Sequence, residues 1–310
     1  MRATLSALKA AAAAVPLAAR HAYELYHPPQ AKPGRTPLSK GLPLRELRLT
    51  TSRDGIPLRG WVVPGAGPHT VVVCHGMGRT MSSTLGHIEL LHRAGWHVVA
   101  YDLRNHGDSG RDRAFGSMAD RYTSDLADVL RWVRADPELG VGEIALYAFS
   151  FSTWVALSVL LRLDRPAAAL VCDSGPTFDI GAGLHHFARV RKPTLPEAQR
   201  DGAGHAVYRS CFSVLCRRML AVRNWPPDLS GTSTRLMFVA GGQDPVIPES
   251  QIAPVADRYP WAERWTAPNA LHMSALRFDR EEYQERVLTF LTGAFAAHSS
   301  TPHSEAAKDG

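Results

Sequence analysis

Three residues that are far apart in the sequence, Ser150, Asp244 and His272, could together supply a nucleophile. A serine hydroxyl attacks a carbonyl carbon efficiently only when a histidine removes its proton, and that histidine needs a carboxylate to fix its tautomer. Each of the three residues follows a strand-like segment, and the carboxyl ends of parallel strands meet at one edge of a sheet. The order serine, acid, histidine is also a known order for such a triad. The sequence therefore predicts chemistry on an acyl group through a serine.

Ser150 lies in the stretch Ala148-Phe149-Ser150-Phe151-Ser152, between a strand-like run and an apolar run of helical character. A strand-to-helix turn that exposes a nucleophilic serine usually has the pattern G-x-S-x-G, because small flanking residues let the strand and the helix approach closely. Ala148 and Ser152 replace the two glycines here. Both are small enough for the turn, but the motif is weaker, and the alternative is that Ser150 or Ser152 only caps the next helix.

The acid and the base follow later strand-like runs. Asp244 comes directly after the run 236–240, where the alternative is a turn-forming Asp-Pro pair. His272 is the only histidine between an atypical segment at 176–228 and the tail, where the alternative is a structural or exposed histidine. Asp173 ends another strand-like run and is the alternative acid. We favour Asp244 because its position fits the usual chain order.

The chemistry also needs donors for the negative charge that develops on the carbonyl oxygen. One backbone N–H is expected from Phe151, the residue after the nucleophile. The other is expected from Met77 in the loop His75-Gly76-Met77-Gly78, where glycines let the backbone approach a ligand. The alternative is an ordinary glycine-rich turn. A phosphate loop is excluded because the pattern G-x-x-x-x-G-K-[ST] is missing.

The rest of the chain predicts how these residues are held. Strands alternate with helices from about residue 70, which indicates a parallel sheet with right-handed crossovers, and an antiparallel pair precedes it near residues 44–63. The segment 176–228 breaks the alternation and predicts a helical cap over the site. We therefore divide the chain into a basic leader and linker at 1–43, a core at 44–175 and 229–297, the cap at 176–228 and a disordered tail at 298–310.

Charge and cysteine content bear on partners and location. Residues 1–60 hold ten Lys or Arg and three acids within a chain of net charge +6. Such a segment could contact an anionic membrane surface, whereas nothing in it supports nucleic-acid binding, and we favour a solvated leader without a partner. The run 10–19 is too short to span a bilayer and favours a packed or surface helix over an export signal. The four cysteines have no paired spacing, which favours a reducing compartment, the cytoplasm, and no metal site.

Taken together, these motifs resemble the α/β-hydrolase superfamily, in its esterase, monoacylglycerol-lipase and serine-peptidase branch. The resemblance covers roughly residues 45–295 and includes the segment Tyr101–Gly110, which contains Asp-x-Arg-x-His-Gly-x-Ser. It implies a mostly parallel eight-stranded sheet with flanking helices and a small helical cap. It implies Ser150 as nucleophile, Asp244 as acid, His272 as base, and no metal or organic cofactor. It also implies that Asp102, Arg104 and His106 are mainly structural.

The predicted activity is hydrolysis of a small carboxylic ester through an acyl-enzyme on Ser150. Thioesterases, amidases, peptidases and acyltransferases use the same residues, so these activities stay open. A non-catalytic binding protein of the same fold is the alternative from another class. The sequence leaves open the acyl chain length, the leaving group and the oligomeric state.

Overall fold

The structure is a computed structural model and describes residues 2–32 and 34–299. Its strands are β1 (Arg45–Thr50), β2 (Pro57–Val63), β3 (Thr70–Cys74), β4 (His97–Tyr101), β5 (Ile144–Phe149), β6 (Ala169–Asp173), β7 (Arg235–Gly241) and β8 (Glu263–Ala267). Its α-helices are α1 (Arg2–Tyr26), α2 (Leu85–Arg93), α3 (Met118–Ala135), α4 (Phe151–Val159), α5 (Ile180–Val190), α6 (Gly202–Leu220), α7 (Glu249–Ala256), α8 (Ala275–Phe278) and α9 (Arg280–Ser299).

The strands form one eight-stranded sheet in the order β1-β2-β4-β3-β5-β6-β7-β8. The pairs β1–β2 and β2–β4 are antiparallel, and the other pairs are parallel. Strands β3, β4, β5 and β6 are buried along their whole length, as expected for apolar runs covered by helices on both faces. The prediction of a mostly parallel eight-stranded sheet with flanking helices is confirmed.

Several element ends differ from the sequence prediction. Helix α4 ends at Val159, and a short 3₁₀ turn over Leu160–Arg162 follows it, so the α-helix covers only part of the apolar run of helical character, which occupies residues 153–163. Helix α7 has no counterpart in the sequence prediction. Helix α9 continues to Ser299 and so includes the first two residues of the predicted disordered tail. The remainder of that tail, residues 300–310, lies outside the described residues.

The N-terminal helix α1 packs against the cap helix α6. Its contact face is made of small residues at a spacing of four, Ala14, Ala18 and Ala22, which are at most 1% exposed. Such spacing lets two helices approach closely. The Tyr26 hydroxyl donates to the Cys216 carbonyl at 3.0 Å, and His21 Nδ1 lies 2.9 Å from the Tyr208 hydroxyl.

The opposite face of α1 is exposed and includes Leu5, Leu8 and Val15. Among residues 2–32 and 34–299, no helix has both the length and the apolarity to cross a bilayer. Contact between this helix and an anionic membrane surface stays a prediction.

The segment after β4 forms a buried polar cluster beside the sheet. Arg104 is fully buried and donates to both oxygens of Asp125 at 2.6 Å, to Asp54 at 2.7 Å and to Asp112 at 2.6 Å. Burial alone would raise the pKa of Asp112, but hydrogen bonds from His27 and Arg104 hold it well below its usual value. The cluster joins the loops beside β1, β4 and α3, so these contacts are structural.

We expect the variant Arg104→Met to lose about 3–5 kcal/mol of unfolding free energy, because it leaves buried carboxylates without their cation. Chemical denaturation followed by circular dichroism measures this loss. The matched control is Arg48→Met, whose ion pair with Glu46 at 2.6 Å is exposed on both sides and should contribute less than about 1 kcal/mol. Equal stability of the two variants would contradict a structural role for Arg104.

Candidate active site

The carboxyl ends of β5 and β7 and the loop after β8 bring Ser150, Asp244 and His272 into one hydrogen-bonded chain. The Ser150 Oγ lies 2.9 Å from His272 Nε2, and His272 Nδ1 lies 2.7 Å from Asp244 Oδ2. Asp244 Oδ1 accepts the backbone N–H groups of Val246 at 2.7 Å and Ile247 at 3.0 Å, which fix its orientation. The Asp244 side chain is fully buried, whereas the His272 side chain is 19% exposed. The ring therefore reaches both the buried acid and the solvent-accessible serine.

Ser150 lies at a sharp turn between β5 and α4. Its φ of 51° and ψ of −119° are unfavourable for a residue with a Cβ, at a cost of about 1–3 kcal/mol. Its N–H donates to the Asp173 carbonyl at 2.9 Å, and its carbonyl accepts the Thr153 N–H at 3.0 Å. The turn is thus held from both sides, and the hydroxyl points into the site.

The residues that replace the two usual glycines fit this turn. Ala148 is fully buried on β5. Ser152 is also buried, and its hydroxyl donates to the His75 carbonyl at 2.5 Å. Ser152 therefore joins the serine turn to the loop after β3, which a glycine could not do.

The loop after β3 approaches Ser150 closely. A Cβ built on Gly76 would lie 3.3 Å from the Ser150 Cβ and 2.9 Å from the Met273 Sδ, so a side chain does not fit there. Met77 follows Gly76 and lines the same pocket as Ser150. Phe151 is the first residue of α4, where backbone N–H groups have no partner inside the helix. The structure therefore places Met77 and Phe151, the two residues predicted to supply oxyanion donors, in the lining of the pocket that contains Ser150.

Two buried histidines hold this loop and stay neutral. His75 Nδ1 donates to the Gly76 carbonyl at 2.8 Å, and its Nε2 accepts the Leu103 N–H at 3.0 Å. His106 Nε2 accepts the Gly78 N–H at 2.9 Å. Burial lowers the pKa of His75 to about 3 and that of His106 to about 4. The nitrogens of both rings form hydrogen bonds to backbone groups, so the two histidines position the loop.

The alternative acid, Asp173, lies outside the hydrogen-bonded chain of Ser150, His272 and Asp244. Of the two carboxylates, Asp244 hydrogen-bonds the His272 ring, and Asp173 instead accepts hydroxyl groups from Ser174 at 2.8 Å and Tyr283 at 2.6 Å. The geometry thus favours Asp244 as the partner of the histidine.

A pocket of about 330 Å³ opens beside Ser150 and His272 and is largely apolar. Its volume is at the lower end of the range for small-molecule sites. The core, the cap and α1 all contribute to its walls. The apolar lining side chains include Leu25, Tyr26, Met77, Phe151, Trp154, Ile180, Leu184, Phe187, Leu220, Val246, Ile247 and Met273.

The contribution of α1 was not predicted from the sequence. Leu25 and Tyr26 line the pocket, and the Tyr26 ring packs edge-on against Phe151 with centroids 6.3 Å apart. The Tyr26 carbonyl accepts from Asn105 Nδ2 at 3.1 Å and from the Tyr122 hydroxyl at 3.2 Å, which anchors the end of the helix to the core. Among residues 2–32 and 34–299, no cluster of three His, Cys, Asp or Glu side chains could hold a metal ion.

Comparison with known proteins agrees with this fold. A family model described as serine aminopeptidase, S33 matches residues 67–210. The esterase Pf2001 of Pyrococcus furiosus has a solved structure with a TM-score of 0.71 and 21% identity, over 88% of this chain and 99% of that chain.

Two curated relatives match shorter stretches. The uncharacterized protein YqkD of Bacillus subtilis (strain 168) is 37% identical over 60 residues, which are 19% of this chain and 20% of that protein. The polyketide transferase grgF of a Penicillium species is 27% identical over 165 residues, which are 52% of this chain and 53% of that protein. The chain thus matches about half, or less, of the length of these two relatives. With its sheet order, its strand-to-helix serine turn and these similarities, the chain has the α/β-hydrolase fold.

Proposed function

We propose that the protein is a serine hydrolase that cleaves carboxylic esters with an acyl or aromatic group of moderate size. The observation that carries the proposal is the continuous chain of contacts from Ser150 through His272 to Asp244, at the mouth of an apolar pocket. The fold and the esterase similarity of Pf2001 support the same class of reaction. The apolar lining favours an uncharged acyl group over a charged one.

In the acylation step, His272 Nε2 removes the Ser150 proton while Ser150 Oγ bonds to the carbonyl carbon of the ester. The carbonyl oxygen becomes negative and is stabilised by the backbone N–H groups of Met77 and Phe151 and by the positive end of α4. Asp244 holds the Nδ1–H of the ring and stabilises the imidazolium. The tetrahedral intermediate then expels the alkoxide, which takes the proton from His272 and leaves as the alcohol.

In the deacylation step, a water molecule takes the place of the alcohol. His272 removes a proton from this water, which attacks the acyl carbon and forms a second tetrahedral intermediate at the same donors. Collapse of that intermediate breaks the bond to Ser150 Oγ, which regains its proton from His272. The products are the carboxylic acid and the free enzyme.

The test is hydrolysis of p-nitrophenyl esters of increasing acyl length by the purified full chain. We expect release of p-nitrophenol with an optimum at the acyl length that fills the pocket. No hydrolysis of any ester or thioester by folded protein would contradict the proposal and favour a binding protein of the same fold.

A second candidate is acyl transfer, in which an alcohol or an amine replaces water in the deacylation step. The observation in its favour is the similarity to grgF, whose name is polyketide transferase, together with a pocket whose apolar walls hold water weakly. Addition of a small alcohol to the ester assay separates the two activities. A new ester formed in preference to the acid would show a transferase, whereas acid as the main product would show a hydrolase.

We expect the variant Leu184→Trp to shift the acyl-length optimum to shorter chains. Leu184 lies on α5 and lines the pocket, so a larger ring there takes up space that a longer acyl chain needs. Steric effects of this kind change kcat/KM by at least about tenfold, and acetate ester hydrolysis should change little. The matched control is Val214→Trp on α6, which is 57% exposed and outside this pocket. An unchanged optimum in Leu184→Trp would show that acyl chains bind elsewhere.

A further inference from the structure

Asp173 places a second carboxylate directly behind the proposed triad. It ends β6, its side chain is buried, and its backbone carbonyl accepts the Ser150 N–H at 2.9 Å. The mechanism above does not use this carboxylate. Burial of a carboxylate lowers the stability of the fold unless hydrogen bonds or a positive charge compensate for the lost water. The contacts of Asp173 therefore need an explanation.

The hydrogen bonds around Asp173 suit an ionised carboxylate. The Tyr283 hydroxyl donates to Oδ2 at 2.6 Å, and the Ser174 hydroxyl donates to Oδ1 at 2.8 Å. The Tyr147 hydroxyl also contacts the Tyr283 oxygen. Because Tyr283 uses its single proton toward Asp173, Tyr147 must donate to Tyr283. Two hydroxyl groups thus donate directly to the Asp173 carboxylate, and the Tyr147 hydroxyl donates to one of them.

Ser174 connects this carboxylate to the loop that holds His272. Its Oγ accepts the Met273 N–H at 2.8 Å while its proton goes to Asp173. Ser174 and Met273 both have positive φ values, 57° and 55°, which are unfavourable for residues other than glycine. The hydrogen bond therefore joins two constrained residues, and one of them is directly next to His272.

No lysine or arginine among the described residues forms an ion pair with Asp173. Tyr283 on α9 contacts the Asp173 carboxylate, and Tyr147 on β5 and His87 on α2 contact Tyr283 in turn. The other titratable groups near Asp173 are Cys172 on β6, Asp244 and His272. Burial lowers the pKa of His87 to about 3, so that ring is neutral. Burial also raises the pKa of Asp173 to about 6, against the hydrogen bonds from Tyr283 and Ser174. The positive charge that favours the ionised form of Asp173 is therefore the imidazolium of His272.

We propose that Asp173 is a positioning residue that acts on His272 in two ways: it fixes the His272 loop through Ser174, and its negative charge stabilises the imidazolium that forms during turnover. The inference rests on the proposed function, in which His272 is the base. It differs from a triad role, because Asp173 reaches His272 through Ser174 and the Met273 backbone rather than by direct contact.

The first test is a pH titration of the His272 ring by NMR in protein with labelled histidine. The His272 signal is assigned by its loss in His272→Gln. In Asp173→Asn we expect the midpoint of the titration to fall relative to the wild type, because the imidazolium loses a nearby negative charge. An unchanged midpoint in folded Asp173→Asn would overturn the proposal. This measurement needs no substrate, so it stays decisive even if no ester is cleaved and the proposed function fails.

The kinetic test uses an ester that the wild type cleaves. We expect Asp173→Asn to lower kcat about tenfold, which corresponds to a loss of about 1.4 kcal/mol of transition-state stabilisation, and to move the acidic limb of kcat/KM to lower pH. Ser174→Ala keeps the carboxylate but removes one of its two hydroxyl donors and breaks the bridge to Met273. It should therefore lower kcat, and it should lower the titration midpoint by less than Asp173→Asn does. A wild-type kcat in Ser174→Ala would overturn the positioning part of the proposal.

Two further variants complete the design. Tyr259→Phe is the matched control, because it removes a buried hydroxyl that donates to the Pro227 carbonyl at 2.8 Å and has no part in the hydrogen bonds around Asp173. Both kcat and the midpoint should stay near wild type in this variant. If Asp173→Asn does not fold, Tyr283→Phe removes one donor and should lower the His272 midpoint by a smaller amount. No change of the midpoint in folded Tyr283→Phe would then overturn the proposal.

Discussion

Ser150→Ala is expected to lower kcat for ester hydrolysis by about 10⁶-fold, because removal of the nucleophile removes the covalent step. The expected residual rate comes from substrate binding and from the backbone donors near Met77 and Phe151. Steady-state kinetics with the best p-nitrophenyl ester measures the loss. The Ser150 side chain makes no packing contribution that a methyl group cannot replace, so the variant should fold like the wild type.

The matched control for this prediction is Ser158→Ala at the far end of α4. Ser158 is half-buried and lies outside the pocket that contains Ser150. We expect its kcat to stay near the wild-type value. If Ser150→Ala kept most of its activity, another residue would be the nucleophile.

Asp244→Asn is expected to lower kcat by about 10⁴-fold, because an amide cannot stabilise the imidazolium and favours the wrong ring tautomer. The effect should be far larger than the tenfold loss expected for Asp173→Asn, since Asp244 contacts His272 Nδ1 directly at 2.7 Å. The same ester assay measures both variants. The opposite ranking would show that Asp173 is the acid of the triad.

The positions of Ser150, Asp244 and His272 were accessible from the sequence for a physical reason. Each residue lies at the end of, or in the loop after, a run of strand-forming side chains, and a parallel sheet gathers such strand ends at one edge. The central strands are continuous apolar runs, so the sheet and its mostly parallel character were also predictable. The order of the antiparallel strands at the edge of the sheet could be determined only from the structure.

The support around the triad was not predictable, because it depends on contacts between residues that are distant in the sequence. Tyr26 reaches the pocket since α1 packs on α6 and its hydroxyl meets Cys216, 190 residues away. Tyr283 reaches Asp173 across 110 residues. Ser174 was a local sequence signal for this support, because a hydroxyl residue directly follows the strand that ends in Asp173. Its bond to Met273, however, depends on the fold of both loops.

The two residues that replace the usual glycines of the serine turn also show what the sequence predicts and what only the structure reveals. The sequence indicated that alanine and serine are small enough at positions 148 and 152. It did not indicate that Ser152 gains a bond to the His75 carbonyl at 2.5 Å. That bond exists because β3 and β5 are neighbours in the sheet, which brings the end of β3 beside α4.

Covalent labelling of the full chain by a fluorophosphonate tests the central claim most directly, because the probe reacts with a serine only when a base activates it. The account predicts one adduct per folded wild-type chain by intact mass, located on Ser150 by peptide mapping. It also predicts no adduct in Ser150→Ala and slower labelling in Asp244→Asn. Absence of labelling in folded wild-type protein, or an adduct on another residue, would contradict the account.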